Sequence, residues 1–329
     1  MSRIKLLFFI APIILLIASL MHLSKGSVNL SLSELYDALF YSQENNVTHL
    51  IVNEIRIPRL MAALLAGASL AMSGMLLQSI FNNPLAGPYI LGINSGASLM
   101  VAVFLLSGVF VPFLNIGIIG AAMFGAFTAS IIMIFLSGIL RTQIALILAG
   151  IMFGSFTTAL ISIIQLASSS IQVKQYTLWS MGSLQNLEAN VIGTYTLILF
   201  IGVALASYTV KYLNVFVIGE KSAKLLGVSV PKTRVLVLLA SAILAGTTTA
   251  ICGPIAFVGM AIPNLVRILL KTQNHHYLLF GNMLIGALFL VLCDLLVIEF
   301  STELPLPLNA ITSLIGAPFI LFVLLRKIK

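Results

Sequence analysis

The chain has 329 residues, of which 60% are hydrophobic and only 8% are charged. A soluble domain carries about 25% charged residues, so the composition excludes a soluble globular domain and predicts a polytopic membrane protein. The net charge of +8 comes from Lys and Arg in the predicted loops and termini, so it indicates membrane topology and not a nucleic-acid partner. Cys252 and Cys293 lie in apolar sequence, which predicts buried free thiols rather than a disulfide framework.

Ten apolar segments are predicted to be membrane-spanning helices, because a helix needs about 20 residues to cross the hydrocarbon core. The first segment follows Arg3 and Lys5 and lacks a small-x-small cleavage site, so it is predicted to be an uncleaved span. The fold class is therefore an all-α polytopic membrane protein. The predicted spans are 6–22, 58–80, 93–110, 116–138, 143–167, 191–210, 234–251, 255–271, 277–298 and 307–325.

Charges in the predicted loops indicate the orientation. With the N-terminus in the cytoplasm, every Lys and Arg except Lys25, Arg56, Arg59 and Lys174 falls on the cytoplasmic side. Cytoplasmic loops of membrane proteins are enriched in Lys and Arg, so the N- and C-termini are both predicted to be cytoplasmic. The acidic residues placed on the outer side are Glu34, Asp37, Glu44, Glu54, Glu188, Glu299 and Glu303.

Two loops are long enough to have structure of their own. In the outer loop 27–54, Ser31 followed by Glu34 fits a helix capping box. An apolar stripe follows this capping box. The two features together predict a short helix at the outer interface that packs on the bundle as a lid. The inner loop 211–233 carries four lysines together with more apolar residues than a solvated loop needs. The apolar residues of the two loops are Leu32, Leu35, Tyr36 and Leu39 outside, and Ala223, Leu225, Leu226 and Val228 inside.

An internal similarity relates the second span to the seventh. The sequence LAGASLAMSG at 65–74 matches LAGTTTAICG at 244–253 in five positions, and Asn-Pro or Pro-Asn follows each about ten residues later. Because five spans separate the two copies, they cross the membrane in opposite directions. Inverted repeats of this kind are found in many transporters. The sequence therefore predicts a single membrane domain over 1–329, with repeats at about 1–190 and 191–329.

The uncharged stretch 67–98 is rich in glycine and proline. Gly67 and Gly74 lie near one face of the predicted second span, and small residues let membrane helices approach closely. Asn83 and Pro84 end that helix, because proline removes a backbone donor and restricts the residue before it. Irregular backbone at membrane depth must be buried or line a cavity. A tight structural turn and a role in a transport pathway are both consistent with the pattern.

Polar residues inside the spans are few. Ser155 and Thr158 in the fifth span are candidates for a weakly polar pathway lining, although such hydroxyls also bond their own helix carbonyls. Asp294 is the one carboxylate placed inside a span, and we favour a structural role in which it bonds a Ser or Thr elsewhere. His275 and His276 are predicted to be solvated in an inner loop. No His or Cys pair in the spans has metal-ligand spacing, so no metal or cofactor is predicted.

Five segments resemble the FecCD-type permeases, the membrane subunits of binding-protein-dependent ABC importers. They stand in the family's order and extend over nearly the whole chain, with departures at Gly87, at Ile298 and in a shortened 294–303 segment. The segments are IRIPR at 55–59, the glycine-rich stretch at 67–98, GEKSAKLLGV at 219–228, GPIAFVGMAIPNLVR at 253–267 and ELPLPLNAITSLIGAPF at 303–319.

The resemblance implies a permease for ferric siderophore, haem or cobalamin in the bacterial cytoplasmic (inner) membrane. It implies ten helices per subunit, a second permease copy or paralogue, two ATPase subunits and a substrate-binding protein or lipoprotein. It also suggests that Arg56 and Arg59 receive acidic residues of the binding protein, where ion pairs would steer docking. The sequence leaves the cargo open.

The chain lacks the pattern G-x-x-x-x-G-K-[ST], so ATP hydrolysis is assigned to a partner and the chain is predicted not to be an enzyme. The inner loop 211–233 is then the candidate coupling element, in which Ala223 and Leu226 share a face that inserts into an ATPase groove. The predicted coupling residues are Gly219, Glu220, Ala223, Leu226 and Gly227. The predicted pathway and packing residues are Gly67, Gly74, Asn83, Pro84, Ser155 and Thr158.

The alternative is an ion-coupled secondary transporter, which would also explain inverted repeats and broken helices. Such a transporter needs membrane carboxylates or histidines, or an unwound sodium site, and this chain offers one aspartate. A channel or a purely structural subunit lacks a signal resembling a selectivity filter. A membrane-embedded enzyme is the weakest alternative, because no nucleophile–base pair or metal cluster appears.

Overall fold

A computed structural model describes residues 3–26, 28–41, 47–107, 117–140, 142–185, 187, 189–300 and 306–328. These residues form helices connected by short turns and contain no strand. The predicted loop charges Glu44, Arg141, Glu188, Glu303 and Lys329 lie outside this described part. The helices are α1 Arg3–Ser24, α2 Leu32–Phe40, α3 Val47–Ile80, α4 Ile93–Leu106, α5 Gly117–Ile139, α6 Gln143–Leu166, α7 Ser170–Ser180, α8 Ala189–Phe216, α9 Glu220–Leu225, α10 Val230–Cys252, α11 Val258–Leu270, α12 His275–Phe300 and α13 Leu308–Ile328.

Seven of these helices are long and apolar enough to cross a membrane, and three shorter apolar helices are α4, α11 and the Leu308–Val323 part of α13. Each of the ten predicted spans overlaps one of them, so the all-helical, apolar fold class is confirmed. The number of spans and the orientation of the termini stay predictions. Short π-helical turns, Ile51–Arg56 in α3 and Ala242–Gly246 in α10, interrupt two of the long helices.

Helix α3 lies at the centre of the bundle and contacts α8, α10, α11 and α12. Glycines make these contacts close: a Cβ atom on Gly67 would lie 2.2 Å from the carbonyl oxygen of Gly286 in α12. A Cβ atom on Gly74 would lie 1.7 Å from the carbonyl oxygen of Gly259 in α11. Only glycine fits at these two contacts, which agree with the predicted packing face of small residues.

Helix α2 confirms the short helix predicted in the outer loop. The Ser31 hydroxyl accepts the Glu34 backbone N–H at 3.3 Å, and the Ser31 backbone N–H donates to the Glu34 carboxylate at 2.8 Å, which completes the predicted capping box. These bonds from Ser31 hold the pKa of Glu34 below its usual value. Leu35 is buried on the bundle side, whereas the Tyr36 ring is exposed and lies 4.9 Å from the Phe40 ring.

Helix α7 was not predicted, because its 11 residues are too few and too polar to resemble a span. Its start nevertheless carries a recognisable signal, a second capping box between Ser169 and Gln172. Cys252 and Cys293 are buried and free, as predicted.

Candidate functional site

A buried group of charged side chains joins α1, α3 and α12. Asp294 is 1% exposed and accepts from Arg59 through both oxygens, at 2.7 Å from Nε and 2.8 Å from the terminal nitrogen. Its Oδ2 atom also lies 2.7 Å from Nε2 of the buried His22. The favoured structural role of Asp294 agrees with these contacts, but the expectation of a Ser or Thr partner is wrong. His22 was missed because nothing in an apolar first span marks a residue 272 positions away as its partner.

The second outer arginine is also occupied within the chain. The Arg56 guanidinium donates to the carbonyl oxygens of Leu23 and Val28, and the residue is buried. Both guanidinium groups are thus bonded within the chain, and the prediction that Arg56 and Arg59 receive acidic residues of a binding protein stays a prediction. In this structure they fix α1 and the following turn to α3, and Arg59 neutralises the buried carboxylate.

A cavity of about 900 Å³ opens at the end of the bundle that holds this charged group. Arg59 and Asp294 lie in its lining, together with Trp179 of α7 and apolar residues from α10 and α12. Helix α7, absent from the predicted elements, thus forms part of the surface that faces the expected outer side.

A separate groove of about 570 Å³ runs along α6 and contains both predicted pathway hydroxyls. Ser155 donates to the Ile151 carbonyl at 3.2 Å, and Thr158 donates to the Gly154 carbonyl at 2.9 Å. Each hydroxyl hydrogen is therefore used within the helix, and the groove presents a weakly polar, uncharged surface. The opposite side of the groove includes Tyr89, in the segment between α3 and α4.

The irregular segment between α3 and α4 has its polar groups satisfied by protein. The Asn83 side-chain oxygen accepts the Leu85 backbone N–H at 2.9 Å, and the Asn264 amide of α11 donates to the Pro84 carbonyl at 2.9 Å. Asn83 and Pro84 line a cavity that Gly219 and Glu220 also line, whereas Tyr89 reaches the groove. The segment is thus both a structural turn and a cavity lining, as irregular backbone at membrane depth requires.

The predicted coupling loop folds into the short helix α9, between Gly219 and Gly227. Both glycines have positive φ angles, +100° and +82°, that other residues rarely adopt. Ala223 is 0% exposed and Leu226 is 65% exposed, so the expectation that these two share an outward face is wrong. The apolar surface of α9 is instead Leu226 with its neighbour Leu225, which is 89% exposed.

The acidic residue of this loop also has partners within the chain. Glu220 lies 3.4 Å from the Lys224 ammonium group and 3.9 Å from the guanidinium group of Arg234 in α10. It therefore ties α9 to α10 in this structure.

His275, predicted to be solvated, is buried, and this prediction is wrong. Its Nδ1 atom lies 3.0 Å from the Asn214 side-chain oxygen and its Nε2 atom 2.8 Å from the Ser79 hydroxyl. The neighbouring His276 is exposed as predicted. The sequence did not distinguish the two histidines. Both lie in the first turn of α12, where adjacent side chains point in different directions, so one is buried and the other is exposed.

Comparison with known proteins places these features in one family. The chain is 33% identical to the hemin transport system permease protein HmuU of Yersinia pestis, over 96% of this chain and 94% of that protein. It is 33% identical to the vitamin B12 import system permease protein BtuC of Vibrio cholerae, over 87% and 86%. It is 32% identical to the Fe(3+) dicitrate transport system permease protein FecD of Escherichia coli, over 86% and 88%.

A solved structure described as a metal-chelate type ABC transporter in an inward-facing conformation superposes with a TM-score of 0.85 at 29% identity. The superposition covers 98% of this chain and 99% of that one. The family model of the FecCD transport family matches residues 14–326. The chain is therefore a member of the FecCD transport family.

Proposed function

We propose that the chain is the membrane-spanning permease subunit of a binding-protein-dependent ABC importer for a metal chelate, with ferric siderophore, haem or cobalamin as the cargo class. The observation that carries the proposal is the groove along α6, which holds Ser155 and Thr158 and is open on one side. A second permease copy or paralogue facing this side would enclose a weakly polar passage. Relatives named for hemin, iron citrate and vitamin B12 transport support the cargo class.

Energy for transport is assigned to separate ATPase subunits at the inner end. Helix α9 exposes Leu225 and Leu226 side by side, and large exposed apolar side chains at a loop favour contact with a partner protein. A substrate-binding protein would deliver cargo to the outer end, at the bacterial inner membrane. Because Arg56 and Arg59 are bonded within the chain, docking at these two residues would exchange those bonds for ion pairs with the binding protein.

The ion-coupled alternative is not favoured, because it requires a membrane carboxylate that can exchange a proton or hold a cation. Asp294 is the one buried carboxylate in the described part of the chain, and both its oxygens are bound by Arg59.

The test is reconstitution of the chain in vesicles with its ATPase and binding protein, using hemin, ferric dicitrate and vitamin B12 as probes. We expect uptake of at least one probe that requires ATP. Replacing Thr158 by Trp is expected to reduce uptake strongly, because the indole ring occupies groove space through which the cargo would pass. Assembly with the ATPase should be unchanged.

The matched control is Ile163→Trp, which adds the same ring to an exposed position of α6 outside the groove lining. Equal uptake by the two variants would contradict the groove as the pathway. ATP-independent uptake that an ionophore abolishes would contradict the importer and support the ion-coupled alternative.

A further inference from the structure

A chain of side-chain hydrogen bonds, which we term the inner relay, connects four helices at the end of the bundle that holds α9. It consists of Asn214 of α8, His275 of α12, Ser79 and Gln78 of α3, and Arg267 of α11. Arg267 donates to the Gln78 side-chain oxygen and, at 3.3 Å, to the Ser79 hydroxyl oxygen. The relay is continuous from the last turn of α8 to α11.

The direction of the hydrogen bonds at His275 follows from its neighbours. The Asn214 side-chain oxygen accepts the His275 backbone N–H at 2.7 Å, which identifies that atom as an acceptor. A ring nitrogen 3.0 Å from the same oxygen must therefore carry a hydrogen, and this nitrogen is Nδ1. In the neutral ring Nε2 then accepts from the Ser79 hydroxyl. Rotation of one serine hydroxyl is sufficient to break or make this link.

One end of the inner relay lies beside the candidate coupling element. Asn214 is near the C-terminus of α8, five residues before Gly219, at which the turn into α9 is made. A polar cavity of about 500 Å³ separates the relay from this turn, and its lining includes Ser79, His275, Gly219 and Glu220. The cavity therefore leaves room for Gly219 and Glu220 to move toward Ser79 and His275.

The other end of the inner relay reaches the segment that lines the groove. The Gln78 amide donates to the Met260 carbonyl at 3.0 Å, and the Asn264 amide bonds the Met260 and Pro84 carbonyls at 2.8 and 2.9 Å. Pro84 belongs to the segment between α3 and α4, and Tyr89 of the same segment lies in the groove lining. A series of hydrogen bonds thus connects Asn214, five residues before the turn into α9, with Pro84, five residues before Tyr89 of the groove lining.

We propose that the inner relay transmits movement of the coupling element to α3, α11 and the groove, with Ser79 and His275 as positioning residues. The inference rests on the proposed function, because it assumes that an ATPase moves α9. Coupling between distant sites is carried by contiguous networks of contacts that have two arrangements. Here the two arrangements differ in whether the Ser79 hydroxyl donates to Nε2 of His275 or to the Met75 carbonyl, which lies 2.7 Å away.

The experiment uses the complex assembled with its ATPase and a reporter cysteine, Tyr89→Cys, in the groove. The native cysteines are buried, so a maleimide reports mainly on position 89. Its labelling rate is compared between the nucleotide-free and vanadate-trapped complexes. In the parent we expect trapping to change the rate by about fivefold, a modest coupling between sites. Ser79→Ala and His275→Phe should abolish the change, whereas Ser79→Thr, which keeps the hydroxyl, should retain it.

Ser130→Ala is the matched control, because Ser130 is a buried serine whose hydroxyl bonds only its own helix, at the Ala126 carbonyl. It should behave as the parent. If Ser79→Ala and His275→Phe respond to trapping as the parent does, or if both lose assembly with the ATPase, the relay is overturned and the importer function stands. If the parent itself does not respond, the ATP-driven function is overturned, and the relay with it.

Discussion

The carboxylate of Asp294 lies where an unpaired charge would be very unfavourable. Of its two partners, His22 is buried and Arg59 is partly buried. Replacing Asp294 by Leu leaves the Arg59 guanidinium and the His22 ring without their acceptor. Breaking a buried ion pair by removing one partner costs about 3–5 kcal/mol. We expect Asp294→Leu to lower the midpoint of thermal unfolding in detergent, measured by a thiol-reactive dye as Cys252 and Cys293 become accessible.

A second carboxylate on α12 gives the control. Glu299 pairs with Lys25 at 3.3 Å, but both side chains are more than a third exposed, at 59% and 40%. Exposed pairs contribute about 0–1 kcal/mol, so Glu299→Gln should unfold close to the parent. Equal shifts for the two variants would show that burial of the Asp294 pair does not determine its contribution.

Single residues were the least predictable level from the sequence. A lone aspartate in an apolar span indicated a structural or functional role, but its partner His22 is 272 positions away and is chosen by how α1 packs on α12. Ala223 and Leu226 had the spacing of one helix face, but α9 ends at Leu225, so Leu226 lies just after the helix and is exposed. Pairing and exposure depend on tertiary packing, which spacing alone does not contain.

Helices were far more predictable than residues. In a membrane every backbone polar group must be satisfied within its own helix, so long apolar segments have almost no alternative, and all ten predicted spans overlap a helix. Helix α7 was missed because it does not have to cross the apolar region. The π-turn at Ile51–Arg56 was also missed, since the sequence there carries no glycine and its one proline follows at position 58.

The close contact between α3 and α11 predicts how one added methyl group affects the packing of these two helices. Gly74→Ala places a methyl group 1.7 Å from the Gly259 carbonyl oxygen, so the two backbones must separate. Overpacking of this kind costs about 1–3 kcal/mol or more. We expect a lower midpoint of thermal unfolding and, because α11 holds Arg267 of the inner relay, weaker transport than the loss of stability alone explains.

Gly138→Ala in α5 makes the same substitution where nothing lies within 4 Å of the new Cβ atom. It should be neutral or slightly stabilising, since alanine favours a helix by up to about 1 kcal/mol over glycine. Thermal unfolding of both variants by the same dye assay checks this. A Gly74→Ala protein as stable as Gly138→Ala would contradict the close approach of α3 to α11.

At the scale of the whole molecule, some apolar helices are buried at the centre and others are exposed at the periphery. The sequence does not distinguish the two kinds. The spans Val47–Ile80 and Gln143–Leu166 are both strongly apolar. Within the apolar 18-residue window of each, 78% of the residues are buried inside the chain in the first and only 22% in the second. Lipid and protein both favour apolar side chains, so composition predicts a span without indicating what surrounds it. The weakly polar groove on the exposed α6 is the feature that favours a second permease copy there over lipid alone.

The orientation of the molecule decides whether α9 can meet an ATPase, and it is predicted from the distribution of Lys and Arg. A cysteine replacing Lys224, whose side chain is 60% exposed, should react with a membrane-impermeant maleimide in inverted vesicles and not in intact spheroplasts. A cysteine replacing the exposed Ser33 in α2 should show the reverse. The buried native cysteines give little background. Labelling of position 224 from outside would place α9 away from cytoplasmic ATP, and no importer of the proposed type operates in that orientation.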